Sequence, residues 1–318
     1  MRSIRASSRG EQFRSNYSTR QYPSPCCLRN LAVEFSQSPG PPANKNSAVM
    51  PAKNGFVLQD RDIDLLNFTL QLGLVTLDHF ARHTERTRHG IYKRVARLEE
   101  QRYLSRITKQ PEKAIYQLGP QGALLLIEHG YAPESIASRR MRANELKPLG
   151  RAHALLITDI HAELLRETKN RPEKIALWRQ DVGLRARVRS RDAGGRQTVF
   201  NVEPDAYFIL ERTDRPEGKN RSHYFVEADR STMSNDRIAG KIRGYIAYHN
   251  QQQFLKTYPG MKSFRVAVIT ETRKRAESLR ARLAYLLPTA PLQRAYQFMA
   301  LEDMTLDALL PHQAALTP

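Results

Sequence analysis

The sequence predicts an α+β protein in which a small helical unit precedes a mixed sheet flanked by helices. Three observations predict it. Between Asp60 and about Arg102, apolar residues recur at helical spacing in three short runs. Two alternating segments then flank a polar turn in "YLSRITKQPEKAIYQLG". After Arg151 the pattern becomes α-β-β-β-α-β-α, an order that requires helices packed on a sheet.

The chain has 318 residues, enough for two modest domains. Its formal net charge of +19 directs attention to a polyanionic partner, most often nucleic acid. The only cysteines, Cys26 and Cys27, are adjacent, which excludes a disulfide framework and a cysteine zinc site and fits a reducing cytoplasm. No apolar run approaches the ~20 residues needed to span a bilayer, so no membrane association is expected. Residues 1–55 are rich in Ser, Arg, Pro and Asn without a sustained apolar period, so a disordered basic tail is expected. That composition resembles an organelle transit peptide, and a translation start at Met50 is the other reading.

The first helix carries Ile63, Leu66 and Leu70 and stops near Gly73. Thr76 can cap the second, whose Leu77, Phe80 and Ala81 face inward. Thr84 or Thr87 can cap the third, which turns Ile91, Val95, Leu98 and the alkyl stem of Arg102 to one side. Arg86, Gly90, Lys93, Arg94 and Arg97 fall roughly opposite, and with Arg88 they are the candidate DNA contacts on this element. Gly90 would permit close approach to phosphates. A hairpin follows, turning at Gln110-Pro111-Glu112 with Arg106, Lys109 and Lys113 near its tip; "GPQGALLLIEHG" closes the unit as a helix. The stretch from about Asp60 to Tyr131 resembles the winged helix-turn-helix fold, which implies double-stranded DNA as partner. Phosphate contacts from these cations would fix register without reading bases.

Beyond a basic connector, "RAHALLITDIHAELLRE" is a helix with Leu156, Ile160 and Leu164 buried and Asp159, Glu163 and Arg166 on another face. "KIALW" is a strand, and a hairpin turning at Asp192 to Gly195 leads into "VEPDAYFILE". "HYFVEADR", "NDRIAGKIRGYIAYHNQQQF", "FRVAVIT" and "RKRAESLRARLAYLL" complete the order as strand, helix, strand and helix. Side chains two apart on a strand share a face, so Glu227 and Asp229 are neighbours. Asp205 begins the preceding strand, ~4.8 Å away if the two pair. All three carboxylates can then surround one point, as oxygen ligands for Mg²⁺ or Mn²⁺. The competing reading is a charge cluster that only braces the fold. In that case Asp205 is a turn residue, and Glu227 and Asp229 pair with Arg230, Arg237 or Lys241.

An acid-bearing helix, a Pro-Asp strand and a strand with a second acid resemble the PD-(D/E)xK nuclease fold. The resemblance assigns Glu163 as the helix acid, Pro204-Asp205 as the first motif and Glu227 as the second. Where that fold usually carries Lys, this chain has Asp229, and Lys241 on the following helix takes the migrated place, with Tyr245 beside it. The implied catalytic set is therefore Asp205, Glu227, Lys241 and Glu163, with Asp205, Glu227 and Asp229 as metal ligands. Together, "HALLITDIHAELL", "VEPDAYFIL" and "FVEADRSTMSNDRIAGKIRGYIAYH" resemble the replication-relaxation family of bacterial plasmids and integrative elements, over roughly Asp60 to Met304. The resemblance implies a cytoplasmic, nucleoid- or plasmid-associated DNA-binding protein of a mobile element, with plasmid replication or mobilisation proteins as partners.

The expected organisation is a tail at 1–55, a winged-helix DNA-binding domain at 56–132, a linker at 133–150, a nuclease-like mixed-sheet α/β domain of PD-(D/E)xK type at 151–304, and a tail at 305–318. Two other functions stay open, an active Mg²⁺-dependent endonuclease or nickase and a winged-helix transcriptional regulator. The oligomeric state and the recognised DNA sequence are not legible.

Overall fold

A computed structural model describes residues 56–108, 114–134, 136–137, 146–180, 184–191 and 195–310. The N-terminal tail, the hairpin tip with Lys109 and Lys113, and part of the Asp192 to Gly195 turn lie outside the described residues. The protein is α+β with a mixed five-stranded sheet.

The N-terminal unit runs α1 (Asp60–Leu72), β1 (Val75–Thr76), α2 (Leu77–Thr84), α3 (Arg88–Glu100), β2 (Leu104–Arg106), β3 (Ile115–Leu118) and α4 (Pro120–Glu128). Its strands form an antiparallel sheet in the order β1-β3-β2. Gly73, at φ 81, ends α1 in a conformation that glycine adopts without a Cβ clash. Thr76 Oγ1 accepts from the His79 N–H to cap α2, and Thr87, not Thr84, caps α3 by accepting from the Gly90 N–H at 3.1 Å. Helix α3 stops at Glu100, so Arg102 is not on its inner face; it sits beyond the helix at φ 61.

The second part begins with α5 (Pro148–Thr168) and continues β4 (Glu173–Arg179), β5 (Ala186–Arg191), β6 (Gln197–Val202), β7 (Ala206–Arg212), β8 (Arg221–Asp229), α6 (Asn235–Asn250), β9 (Arg265–Thr270), α7 (Arg273–Leu283) and β10 (Tyr296–Ala300). The main sheet has the order β10-β9-β8-β7-β4, with β8, β9 and β10 parallel and β7 and β4 antiparallel to their neighbours. Strand alternation sorts β8 between two layers. Tyr224, Val226 and Ala228 pack toward α5 with Ile160 and Leu164, while Phe225 packs with Ile242 and Tyr245 of α6 and Leu279 of α7. Strands β5 and β6 form a separate two-stranded arm whose Val188 and Val202 are buried against α6.

Helix α5 touches both parts. Its Asp159 accepts from His79 of α2 at 2.7 Å, and Ala162 and Leu165 pack against the core of the N-terminal unit. Among the described residues no helix is long and apolar enough to cross a membrane.

Candidate functional site

Glu227 lies on β8, flanked by β7 and β9, with 3% of its surface exposed. The β7–β8 register pairs Ala206 with Val226, so Asp205, one step earlier, comes opposite Glu227. The backbone fixes it there. The Asp205 N–H donates to the Val226 carbonyl at 2.9 Å, and Asp205 Oδ2 accepts from the Ala228 N–H at 2.8 Å. From α6, Lys241 and Tyr245 lie four residues apart and so on one helical face. Lys241 Nζ pairs with Glu227 Oε2, and the Tyr245 hydroxyl donates to Glu227 Oε1 at 2.6 Å. From α5, His153 Nε2 meets Asp205 Oδ1 at 3.0 Å. Glu227 and Tyr245 form a buried floor; Asp205, Lys241 and His153 keep part of their surface at the mouth.

Burial pushes the Glu227 carboxyl up to about 7, with the charge of Asp205 adding to the shift and Lys241 opposing it. Burial acts the same way on Asp205, but the His153 hydrogen bond and the Lys241 charge outweigh it and hold the group below its usual range. His153 is raised chiefly by its hydrogen bond to Asp205. For Lys241, burial is outweighed by the Glu227 and Asp205 charges, and the ammonium is held more firmly protonated. One ammonium therefore serves two carboxylates, with a histidine at the edge.

Of the sequence-based site residues, Asp205, Glu227 and Lys241 come together. Asp229 does not join them. It is fully buried at the end of β8, where Oδ2 accepts from Arg275 Nε at 2.6 Å and Oδ1 from the Ser231 N–H at 3.1 Å. Arg275 also donates to Asn235 Oδ1 and the Met233 carbonyl, both at 2.7 Å, tying α7 to the start of α6. Arg230, expected as a partner for these acids, pairs with Glu271 instead. Glu163 is also elsewhere, held by Arg166 one turn along α5. The α5 residue at the site is His153, which sequence reasoning missed. Its signal was helical phase, because 153, 157, 160 and 164 lie on one stripe and the last three are buried.

As arranged, the Asp205 and Glu227 carboxylates face protein partners. Each oxygen of Asp205 and Glu227 already has a partner, and among the described residues no group of three His, Cys, Asp or Glu is placed to hold a metal ion. Of the three acids expected to share a hard cation, Asp205 and Glu227 come together and Asp229 is paired with Arg275.

On α3, Ile91, Val95 and Leu98 are buried, while Arg88, His89, Lys93 and Arg97 are exposed together with Tyr92, and Arg86 is exposed just before the helix. Arg88 has a loose partner in Asp78 at 3.7 Å. Arg94 is turned inward: Nε donates to Asp62 Oδ1 at 2.6 Å, Nη2 donates to the Val57 carbonyl at 3.0 Å, and the guanidinium lies over the Phe56 ring. Arg106 is likewise engaged, donating to Glu99 Oε2 at 2.9 Å and lying over Tyr116.

The family model described as replication-relaxation matches residues 70–262, more than half of the chain. The chain belongs to the replication-relaxation family. Membership suggests a role in the replication or relaxation of plasmid or mobile-element DNA. The stretch that matches the replication-relaxation model contains α3, the hairpin strands and the His153, Asp205, Glu227, Lys241 and Tyr245 cluster; Arg275 and β10 fall beyond it. Comparison with curated proteins and with solved structures gives no significant match.

Proposed function

We propose that this replication-relaxation protein binds double-stranded DNA of a mobile element through α3, and that its second part is a nuclease-like domain with a closed charge cluster. The observation that carries the reading is the division of α3. Three apolar positions anchor it, and the acid-free run from Arg86 to Leu98 presents Arg86, Arg88, Lys93 and Arg97 to solvent. Three helices beside the β1-β3-β2 sheet are the arrangement expected of a winged helix, which lays its third helix in the major groove. Four exposed cations on phosphates would give a slope of log affinity against log salt of roughly −3 to −4 from this face alone. A salt titration of the full chain on labelled duplex DNA measures it. Weak binding indifferent to salt would end the reading.

A second reading is favoured by the meeting of Asp205, Glu227 and Lys241, the set that a PD-(D/E)xK-type nuclease needs, with the lysine moved to α6. It expects nicking or cutting of supercoiled plasmid in Mg²⁺ or Mn²⁺, lost in Asp205→Ala and in Glu227→Ala. Plasmid left intact across both metals would leave the cluster as a brace between β7, β8 and α6.

A further inference from the structure

We propose that the β5–β6 arm is a second duplex-DNA contact, with its arginine face seated on the phosphate backbone. Along β5, Arg187, Arg189 and Arg191 point one way and are exposed, while Val188 between them is fully buried. Their cross-strand partners are Asn201, Val199 and Gln197. Opposite charges directly across a strand pair are stabilising and like charges in proximity are not. This face opposes none of the three arginines with an acid. Side chains two apart on a strand recur every ~6.8 Å, about twice the ~3.4 Å rise per nucleotide on one DNA strand. Among the described residues these three arginines have no ion-pair partner; Glu203, at the arm's base, lies 4.0 Å from Arg185 instead. A row of like charges with no ion-pair partner among the described residues fits an anion supplied from outside. A two-stranded ribbon also has the dimensions to enter a DNA groove.

The arm packs on α6. Gly244 of α6 admits Phe200, since a Cβ there would come within 3.1 Å of the Phe200 Cβ, and Gln251 Nε2 donates to the Arg189 carbonyl at 2.7 Å. Its second strand ends at Val202, three residues before Asp205, and the helix behind it carries Lys241.

The inference goes beyond the α3 reading and shares with it the premise that DNA is the partner. The test is a salt series on the full chain with a fluorescein-labelled mixed-sequence duplex of about two helical turns. In the triple variant Arg187→Gln/Arg189→Gln/Arg191→Gln, the log-log salt slope is expected to shrink by about 2 to 3, and affinity near 0.15 M salt to fall about 10- to 100-fold. The corresponding triple lysine variant is expected to keep the slope. An unchanged melting temperature checks that the exposed substitutions leave the fold intact. Wild-type-like affinity and slope in the glutamine variant would overturn the arm contact and leave α3 binding in place. Failure of the unsubstituted chain to bind DNA would overturn both.

Discussion

Replacing Arg275 with alanine is expected to destabilise the sheet domain by about 3–5 kcal/mol, the cost of leaving one member of a buried ion pair unpaired. Asp229 is fully buried, and the Arg275 guanidinium supplies its only cation among the described residues. The same guanidinium bonds Asn235 and the Met233 carbonyl. The substitution therefore strips a charge partner and two hydrogen bonds from the junction of β8, α6 and α7. Urea unfolding followed by circular dichroism measures the loss. A paired change, Asp229→Leu with Arg275→Met, is expected to recover much of it, since removing both charges relieves the desolvation penalty that a single removal exposes. A single variant that loses less than about 1 kcal/mol would mean that Asp229 finds another partner.

Arg94→Ala and Lys93→Ala, adjacent in sequence, are expected to fail in different ways. Asp62 is fully buried in the first turn of α1, and Arg94 neutralises it. Its loss is expected to cost about 3–5 kcal/mol and to melt the N-terminal unit early. Lys93 is exposed. Its loss is expected to leave stability within about 0.5 kcal/mol while reducing the salt slope of DNA binding by about 0.9. Thermal melts and DNA titrations on the two variants separate the effects. Equal stability of both proteins would place Arg94 on the surface and return it to the candidate DNA contacts.

Much of the N-terminal unit was legible because its determinants are local. Thr76 and Thr87 cap helices whose first turns lie within three residues, Gly73 ends α1, and the apolar period locates Ile91, Val95 and Leu98 inside. The β8 strand was legible for the same reason, and its alternation correctly put Glu227 and Asp229 on one face. Strand β10 was not read, since "YQFMA" sits between Pro291 and a Leu-rich segment without turn signals and becomes a strand only by pairing with β9. The α5 contribution to the cluster was not read for a related reason. Glu163 has the right chemistry one residue off the buried stripe, and its carboxylate turns to Arg166, whereas His153 has the right phase.

From the sequence alone came the periodicities, the caps, the basic α3 and the meeting of Asp205 with Glu227, because each follows from spacings of a few residues or from the pairing of adjacent strands; Lys241 was placed beside them by the resemblance to the PD-(D/E)xK fold. Tertiary structure alone decided which cation answers which acid. Asp229 goes to Arg275, 46 residues away, Asp62 to Arg94, 32 residues away, and Asp159 to His79, 80 residues away. An ion pair depends on distance in space and on desolvation, neither of which sequence separation encodes. That is why Glu227 and Asp229, neighbours on one strand face, answer to different cations, Lys241 and Arg275.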